Sequence, residues 1–114
     1  IERIKIEIKI IINKCVMIVI IRDSELDVYE DGTIKRKLLS GKWKEINNKA
    51  NHNKGYNVIL INKKQYMRSS IIAHTFLELN LDEKKYFVSH LDLDRLNCQL
   101  SNLRLVPKVS RKKL

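Results

Sequence analysis

Ile4-Lys-Ile-Glu-Ile-Lys-Ile10 alternates apolar and charged residues without a break, and this period of two is the strongest constraint in the chain. Successive strand side chains point to opposite faces, so the pattern fits a β-strand with one buried face and does not fit a helix. Cys15–Ile21 follows as a continuous apolar run, the mark of a more buried strand, and Asn13-Lys14 would be the tight turn that pairs the two. At 114 residues, 44% hydrophobic and 32% charged, the chain can build one core and is too apolar for wholesale disorder. One Pro and three Gly exclude collagen-like and low-complexity architectures, and no repeat recurs.

Further strands are marked downstream. Asp31-Gly32, flanked by β-formers over Asp27–Ile34, predicts a hairpin, with a type I′ turn supplying the positive φ that Gly tolerates. Lys35–Lys49 is basic and polar around Trp43, and the Asn-rich stretch 47–55 reads as a loop. Tyr56–Ile61 and Gln65–Arg68 predict strands joined by Asn62-Lys63-Lys64. Ser69 or Ser70 is the candidate N-cap of a helix over Ile71–Leu79, whose Ile71, Ile72, Thr75, Phe76 and Leu79 share a face that would pack on a sheet. Tyr86–Ser89 and Leu103–Val106 predict two more strands around the polar turn Asp92–Asp94. Pro107 suits the first position of a short closing helix.

Charge points to a partner class. Lys and Arg number 23 against 13 Asp and Glu, a formal net charge of +10. Such an excess repels itself in the compact state, and a phosphate backbone is the commonest polyanion to relieve it; the bland alternative is a solvated basic surface. A membrane is not expected, because the longest uncharged apolar run is Cys15–Ile21, short of a spanning helix, and no long basic amphipathic helix is evident. Arg22-Asp23 follows that run where small residues would mark a signal-peptide cleavage site, which points to an intracellular protein. Cys15 and Cys98 lack CxxC spacing and read as two free thiols in a reducing compartment. The lean toward Ile, Lys and Asn, residues of AT-rich codons, points to an organelle (a mitochondrion among them), viral or intron-borne frame. The start at Ile1 reads as processing, truncation or a fragment.

Four pieces carry a resemblance. Gly55-Tyr-Asn-Val-Ile-Leu60, Ile71-Ile-Ala-His-Thr-Phe76, His90-Leu-Asp-Leu-Asp-Arg-Leu-Asn97 and Ser101-Asn-Leu-Arg104 resemble, in order and spacing, the HNH endonucleases of homing type. Val28-Tyr-Glu-Asp-Gly-Thr-Ile34 is similar to the small module that often precedes that domain, so the likeness covers residues 28–106 and leaves 1–21 without a counterpart. The resemblance implies an α+β fold: an HNH-like ββα region with a helix packed on short antiparallel strands, plus a β-hairpin N-terminal arm. The division would be residues 1–22 for the arm, 23–50 for the upstream module and 51–114 for the HNH-like domain.

In that family a strand-end His is general base on water, the residue before it is an Asp metal ligand, an Asn of an Asn-Leu-Arg sequence orients the His, and a helical Asn or His completes the metal site. An imidazole of near-neutral pKa suits proton abstraction, and a divalent ion stabilises the departing oxygen. His90 matches the base and Asn102 the orienting Asn, while Asp92 and Asn97 match polar positions that brace the turn. Ser89 stands where the ligand Asp is expected, Arg111 near the helical ligand, Leu93 in place of the turn Gly, and Ser69 in place of a His. These departures imply no resident metal, with Mg²⁺ or Mn²⁺ expected only if the nuclease site is active, and an Arg111 that attracts phosphate where it repels a cation.

Phosphate contacts are expected from Lys35, Arg36 and Lys37, from Lys42 and Lys44 bracketing Trp43, from Lys63 and Lys64, and from Arg104, Arg111, Lys112 and Lys113. Trp43 either stacks on an exposed base or plugs the upstream module's core. His52 and His74 read as ordinary surface residues, and no spacing among His and Cys suggests structural zinc. Three functions stay open. One is a cleavage-impaired nucleic-acid-binding protein, a structural RNA-binding part of a ribonucleoprotein such as an organellar ribosome, beside other proteins of the assembly. Another is an active metal-dependent HNH homing endonuclease hydrolysing DNA. The last is a regulatory DNA binder that occupies a site.

Overall fold

The alternating segment does form a strand, and it opens a meander. The computed structural model describes residues 4–11 and 14–108, with side chains from residue 16 onward. β1 (Ile4–Ile11), β2 (Lys14–Ile21), β3 (Ser24–Tyr29), β4 (Ile34–Lys37) and β5 (Trp43–Glu45) pair in sequence order into a five-stranded antiparallel sheet. Lys14 already belongs to β2, opposite Ile11, and Asn13 of the expected turn lies outside the described residues. The sheet runs without interruption across residues 22 and 23, joining the N-terminal strands to those that follow.

Turn chemistry differs from expectation in an instructive way. The β3–β4 hairpin is not a type I′ turn. Gly32 N–H donates to the Tyr29 carbonyl (3.0 Å) and Tyr29 N–H to the Thr33 carbonyl (2.9 Å). Only Gly32, at φ +94°, is left-handed. That is a three-residue loop, a type I turn followed by a glycine bulge, and it needs one positive φ where type I′ needs two. The type I′ geometry occurs elsewhere, at Arg22-Asp23 (φ 49° and 67°) between β2 and β3 and at Asn62-Lys63 (φ 45° and 71°) between β6 and β7. These two tips clasp each other: Arg22 Nε and Nη2 donate to the Asn62 carbonyl (3.3 and 3.1 Å), and the Asn62 amide donates back to the Arg22 carbonyl.

β6 (Val58–Ile61) and β7 (Lys64–Met67) form a hairpin that leads directly into α1 (Arg68–Phe76), and β8 (Tyr86–His90) pairs with β9 (Leu103–Pro107). The helix starts before both serines. Arg68 N–H finds the Asn57 carbonyl (3.0 Å), so a main-chain acceptor takes the place of a serine cap, and Ser69 and Ser70 fall inside the first turn. Its end comes early too, because Glu78 turns left-handed at φ 60°. His74 is buried, contrary to the surface reading, with Nδ1 2.7 Å from the Leu79 carbonyl. Ile71 to Thr75 are all buried, so this short helix is enclosed on nearly every side and has little polar face to offer. Pro107 closes β9 opposite Tyr86 rather than opening a helix, and residues 109–114 lie outside the described residues.

One buried cluster joins β2–β4 to the helix and the two hairpins. Val19 and Ile21 of β2, Leu26 and Val28 of β3 and Ile34 of β4 line the same sheet face and pack with Ile59, Ile61, Tyr66, Ile71, Ile72, Cys98 and Leu103. Val28↔Ile34 and Val19↔Leu26 are register partners, which places them on that common face. Cys98 is a free thiol among them, and burial pushes its pKa up to about 11.

Arg68 joins the sheet to the helix from inside this core. The side chain is 1% exposed and donates to Asn57 Oδ1 (2.8 Å), the Gly32 carbonyl (2.7 Å) and the Ile46 carbonyl (2.5 Å). Burial lowers its pKa from the usual arginine value, and the guanidinium stays charged nonetheless. A buried charge is tolerable only when its donors are satisfied, and here three neutral acceptors do so.

Candidate functional site

His90 ends β8 beside Leu103 of β9, on the buried side of a loop that runs to the 3₁₀ turn Leu100–Asn102. His90 is 7% exposed, and Nε2 is a buried atom without a hydrogen-bond partner among the described residues. Burial is the main cause that holds its pKa below the ordinary histidine value; Arg95 pushes the same way, and Asp92 and Asp94 oppose it. Burial thus favours the neutral form of the imidazole.

Asn102 belongs to the loop more than to the ring. Its Oδ1 accepts the Asp92 N–H (3.0 Å), and its Nδ2 donates to Asp92 Oδ1 (3.0 Å) and the Asn97 carbonyl (2.9 Å). Asp92 is the hub. Oδ2 accepts the Asn97 amide (2.7 Å) and Oδ1 also accepts the Asp94 N–H (2.8 Å). These bonds, that of Asn97 first, hold its carboxyl below the usual carboxylate range. These bonds cross-brace the 92–102 loop, which is tied to His90 through the main chain: Leu93 N–H donates to the His90 carbonyl (3.0 Å). Leu93 takes φ 65°, the left-handed conformation that glycine would adopt without strain.

The structure adds neighbours that the sequence did not single out as a group. Tyr56, just before β6, lies with its ring centroid 6.0 Å from that of His90 and 5.9 Å from that of His52. The Arg95 guanidinium sits 5.0 Å over the Tyr56 ring and donates to the Lys54 carbonyl. His52, a half-buried loop residue, thus takes part in the wall of the site instead of standing alone on the surface. The only sequence signals were the Tyr after Gly55 and the Arg between Asp94 and Leu96, some 40 positions apart in the chain.

A hard divalent cation needs several free oxygen donors. Ser89 offers a hydroxyl opposite Arg104, and both Asp92 oxygens are engaged by protein donors. Among the described residues no group of three or more His, Cys, Asp or Glu side chains is arranged to hold a metal ion.

The basic residues fall into separate groups. Arg36 lies opposite Lys44, and Lys37 opposite Trp43, so the β4–β5 hairpin gathers Lys35, Arg36, Lys37, Lys42, Trp43 and Lys44. Within it, Arg36 Nη2 donates to the Leu60 carbonyl (2.5 Å), tying the sheet to β6, and Lys37 lies 3.8 Å from Glu25. Lys35 sits over the Tyr29 ring at 5.2 Å, and the Tyr29 hydroxyl raises its pKa. Lys64 is 3.9 Å from Asp82, beside Lys63 at the β6–β7 tip. Trp43 remains partly exposed at the sheet edge and outside the core cluster. Arg104 is exposed on β9 near the His90 loop, while Arg111, Lys112 and Lys113 lie outside the described residues.

Residues 80–111 match the family model described as HNH endonuclease. Searches of curated proteins and of solved structures found no match. No helix among the described residues is long and apolar enough to cross a membrane.

Proposed function

We propose, from the premise that residues 80–111 carry an HNH-type endonuclease domain, that the chain binds nucleic acid through this region and that its phosphodiester cleavage is impaired. The observation that carries the reading is the donor set around His90: a Ser at position 89 and an Asp92 whose oxygens are both taken by Asn97, Asn102 and the Asp94 N–H. The net charge of +10, with Arg95 and Arg104 close to His90 in the fold, favours an anionic backbone at the same place. Lys42, Lys44 and Lys63 extend the contact surface, and Arg111, Lys112 and Lys113 would add to it. Within this reading, a structural RNA-binding role in a ribonucleoprotein such as an organellar ribosome is the finer form, and the AT-rich-codon composition is compatible with it as it is with a viral or intron-borne frame.

A second reading, an active metal-dependent DNA endonuclease, is favoured by one observation: His90, whose burial favours the neutral form and whose Nε2 is unpartnered among the described residues, suits a general base. The test is a nicking assay on supercoiled plasmid with Mg²⁺ or Mn²⁺, run beside His90→Ala and a binding titration against duplex DNA and duplex RNA. Binding without nicking supports the cleavage-impaired protein, and tighter RNA binding supports the ribonucleoprotein role. Metal-dependent nicking that disappears in His90→Ala overturns it in favour of the endonuclease.

A further inference from the structure

The ribbon of β8 and β9 has two faces, and the core uses one of them. Register partners share a face, and Val88, His90 and Leu103 turn inward, where Val88 and Leu103 pack with Ile71 and Ile72 of α1. Alternation therefore sends Phe87 with Val106, and Ser89 with Arg104, to the opposite face. Phe87 is 48% exposed there, an aromatic ring held in water on a paired strand. At the open end of the ribbon Lys108 N–H donates to the Lys85 carbonyl (2.8 Å), which extends the ladder and sets these two lysines at one level.

The charge along this face has one sign. Lys85 and Lys108 lie toward one end and Arg104 toward the other, each two residues, or about 7 Å, from the Phe87–Val106 pair. No Asp or Glu occurs from Lys84 to Leu91 or from Leu103 to Lys108. All three cations are exposed, and none has a side-chain hydrogen bond or ion pair among the described residues. Such a face repels a second copy of itself, because like charges would meet. What it complements is an anionic backbone with unpaired bases: the ring stacks on a base while the cations meet the neighbouring phosphates. A fully paired duplex has no free base face to offer the ring. Both strands fall inside residues 80–111, the HNH-type region, which favours nucleic acid over an acidic polypeptide.

We propose that the outer β8–β9 face is a single-strand platform, on which Phe87 stacks against an unpaired base while Lys85, Lys108 and Arg104 hold the phosphates on either side. The assignment rests on the nucleic-acid reading of the HNH-type region and adds to it a preference for unpaired strands.

The test is a fluorescence-anisotropy titration of the whole chain with a short labelled single strand, in DNA and in RNA form. A fully abasic strand of the same length and the matched duplex serve as references. Phe87→Leu keeps an apolar side chain and leaves the core face untouched. It should lower single-strand affinity about tenfold while leaving affinity for the abasic strand and the duplex unchanged. Phe87→Tyr should bind as the native protein does. Lys85→Gln combined with Arg104→Gln should flatten the log–log salt slope for the single strand by roughly 1.4, since each phosphate contact contributes about 0.7. Single-strand binding that Phe87→Leu leaves unchanged overturns the platform and leaves nucleic-acid binding standing. An equal loss on the abasic strand also overturns it, because Phe87 would then act through the fold and not through a base. Displacement by polyglutamate as readily as by polyuridylate assigns the face to an acidic polypeptide, and self-association that Phe87→Leu abolishes in sedimentation assigns it to a second copy; either result overturns the proposal. No binding to any strand or duplex overturns both readings.

Discussion

At the scale of single residues, His90 shows how position decides chemistry. A histidine at a strand end is a common surface group, but this one is enclosed by Tyr56, β9 and the Asn102-braced loop, and burial depresses its pKa. A depressed pKa means that the unfolded chain binds the proton more readily than the folded one. Stability contributed by the neutral, buried ring is therefore complete above the unfolded value of about 6.5 and is lost as pH falls toward the folded one. Melting curves should show a Tm that declines between pH 7 and pH 5, with a shallower decline in His90→Asn, and NMR titration should give His90 a midpoint below that of a model imidazole. An unchanged slope in the variant would mean that the ring is solvated. Arg95→Gln should move the midpoint upward, since the guanidinium is one of the groups that lower it.

Elements meet at two small devices, Gly32 and Arg68. A Cβ on Gly32 would lie 3.0 Å from both the carbonyl carbon and oxygen of Cys98, main-chain atoms that cannot swing aside, and φ is +94° there. Gly41 has nearly the same φ, +93°, with open space around it. Equilibrium denaturation should therefore find Gly41→Ala about 1 kcal/mol less stable than the native protein and Gly32→Ala about 2 kcal/mol or more, the difference reporting the close approach. Arg68→Met should cost about 3 kcal/mol, because Asn57 Oδ1 and the Gly32 and Ile46 carbonyls lose a charged donor together. The strands around these devices were legible in the sequence, since alternation and apolar runs are local properties. The devices were not. Arg68 looks like the end of a strand until Asn57 and Ile46 are brought to it, and the type I′ turns hide behind Arg22 and Lys63, residues that rarely adopt a positive φ. For the site, the family resemblance singled out His90 and Asn102, and the structure places them at the two ends of one braced loop. The Tyr56–Arg95–His52 wall was not legible, because only the packing of β6, the 52–56 loop and the 92–102 loop assembles it. His74 failed for a related reason: periodicity assigns a polar side to a helix, whereas α1 is enclosed on nearly all sides.

For the molecule as a whole, β2, β3 and β4 share one core with α1 and the β8–β9 region, so the sheet and the β8–β9 region should unfold together. Fluorescence of Trp43, the one tryptophan, reports from β5, while far-UV circular dichroism reports the whole chain, and the two transitions should coincide. Separated midpoints would divide the core that the packing unites. Charge is the other property of the whole. Net charge of +10 alone does not distinguish a phosphate-binding surface from a solvated one, but salt does, because each phosphate neutralised releases counterions. A surface that engages several phosphates gives a log–log slope of affinity against salt of roughly −0.9 per contact, so five contacts predict a slope near −4.5. Lys42 and Lys44 sit on the β4–β5 hairpin without an ion-pair partner among the described residues, whereas Lys37 and Lys64 lie beside Glu25 and Asp82. Converting Lys42 and Lys44 together to Ala should flatten the slope by about 2, whereas Lys37→Ala and Lys64→Ala, whose charges are already partly neutralised, should each change it by well under 1. Equal effects at all four positions would show that the carboxylate partners give way to phosphate, and a flat response in the native protein would leave the basic surface without a polyanion to bind.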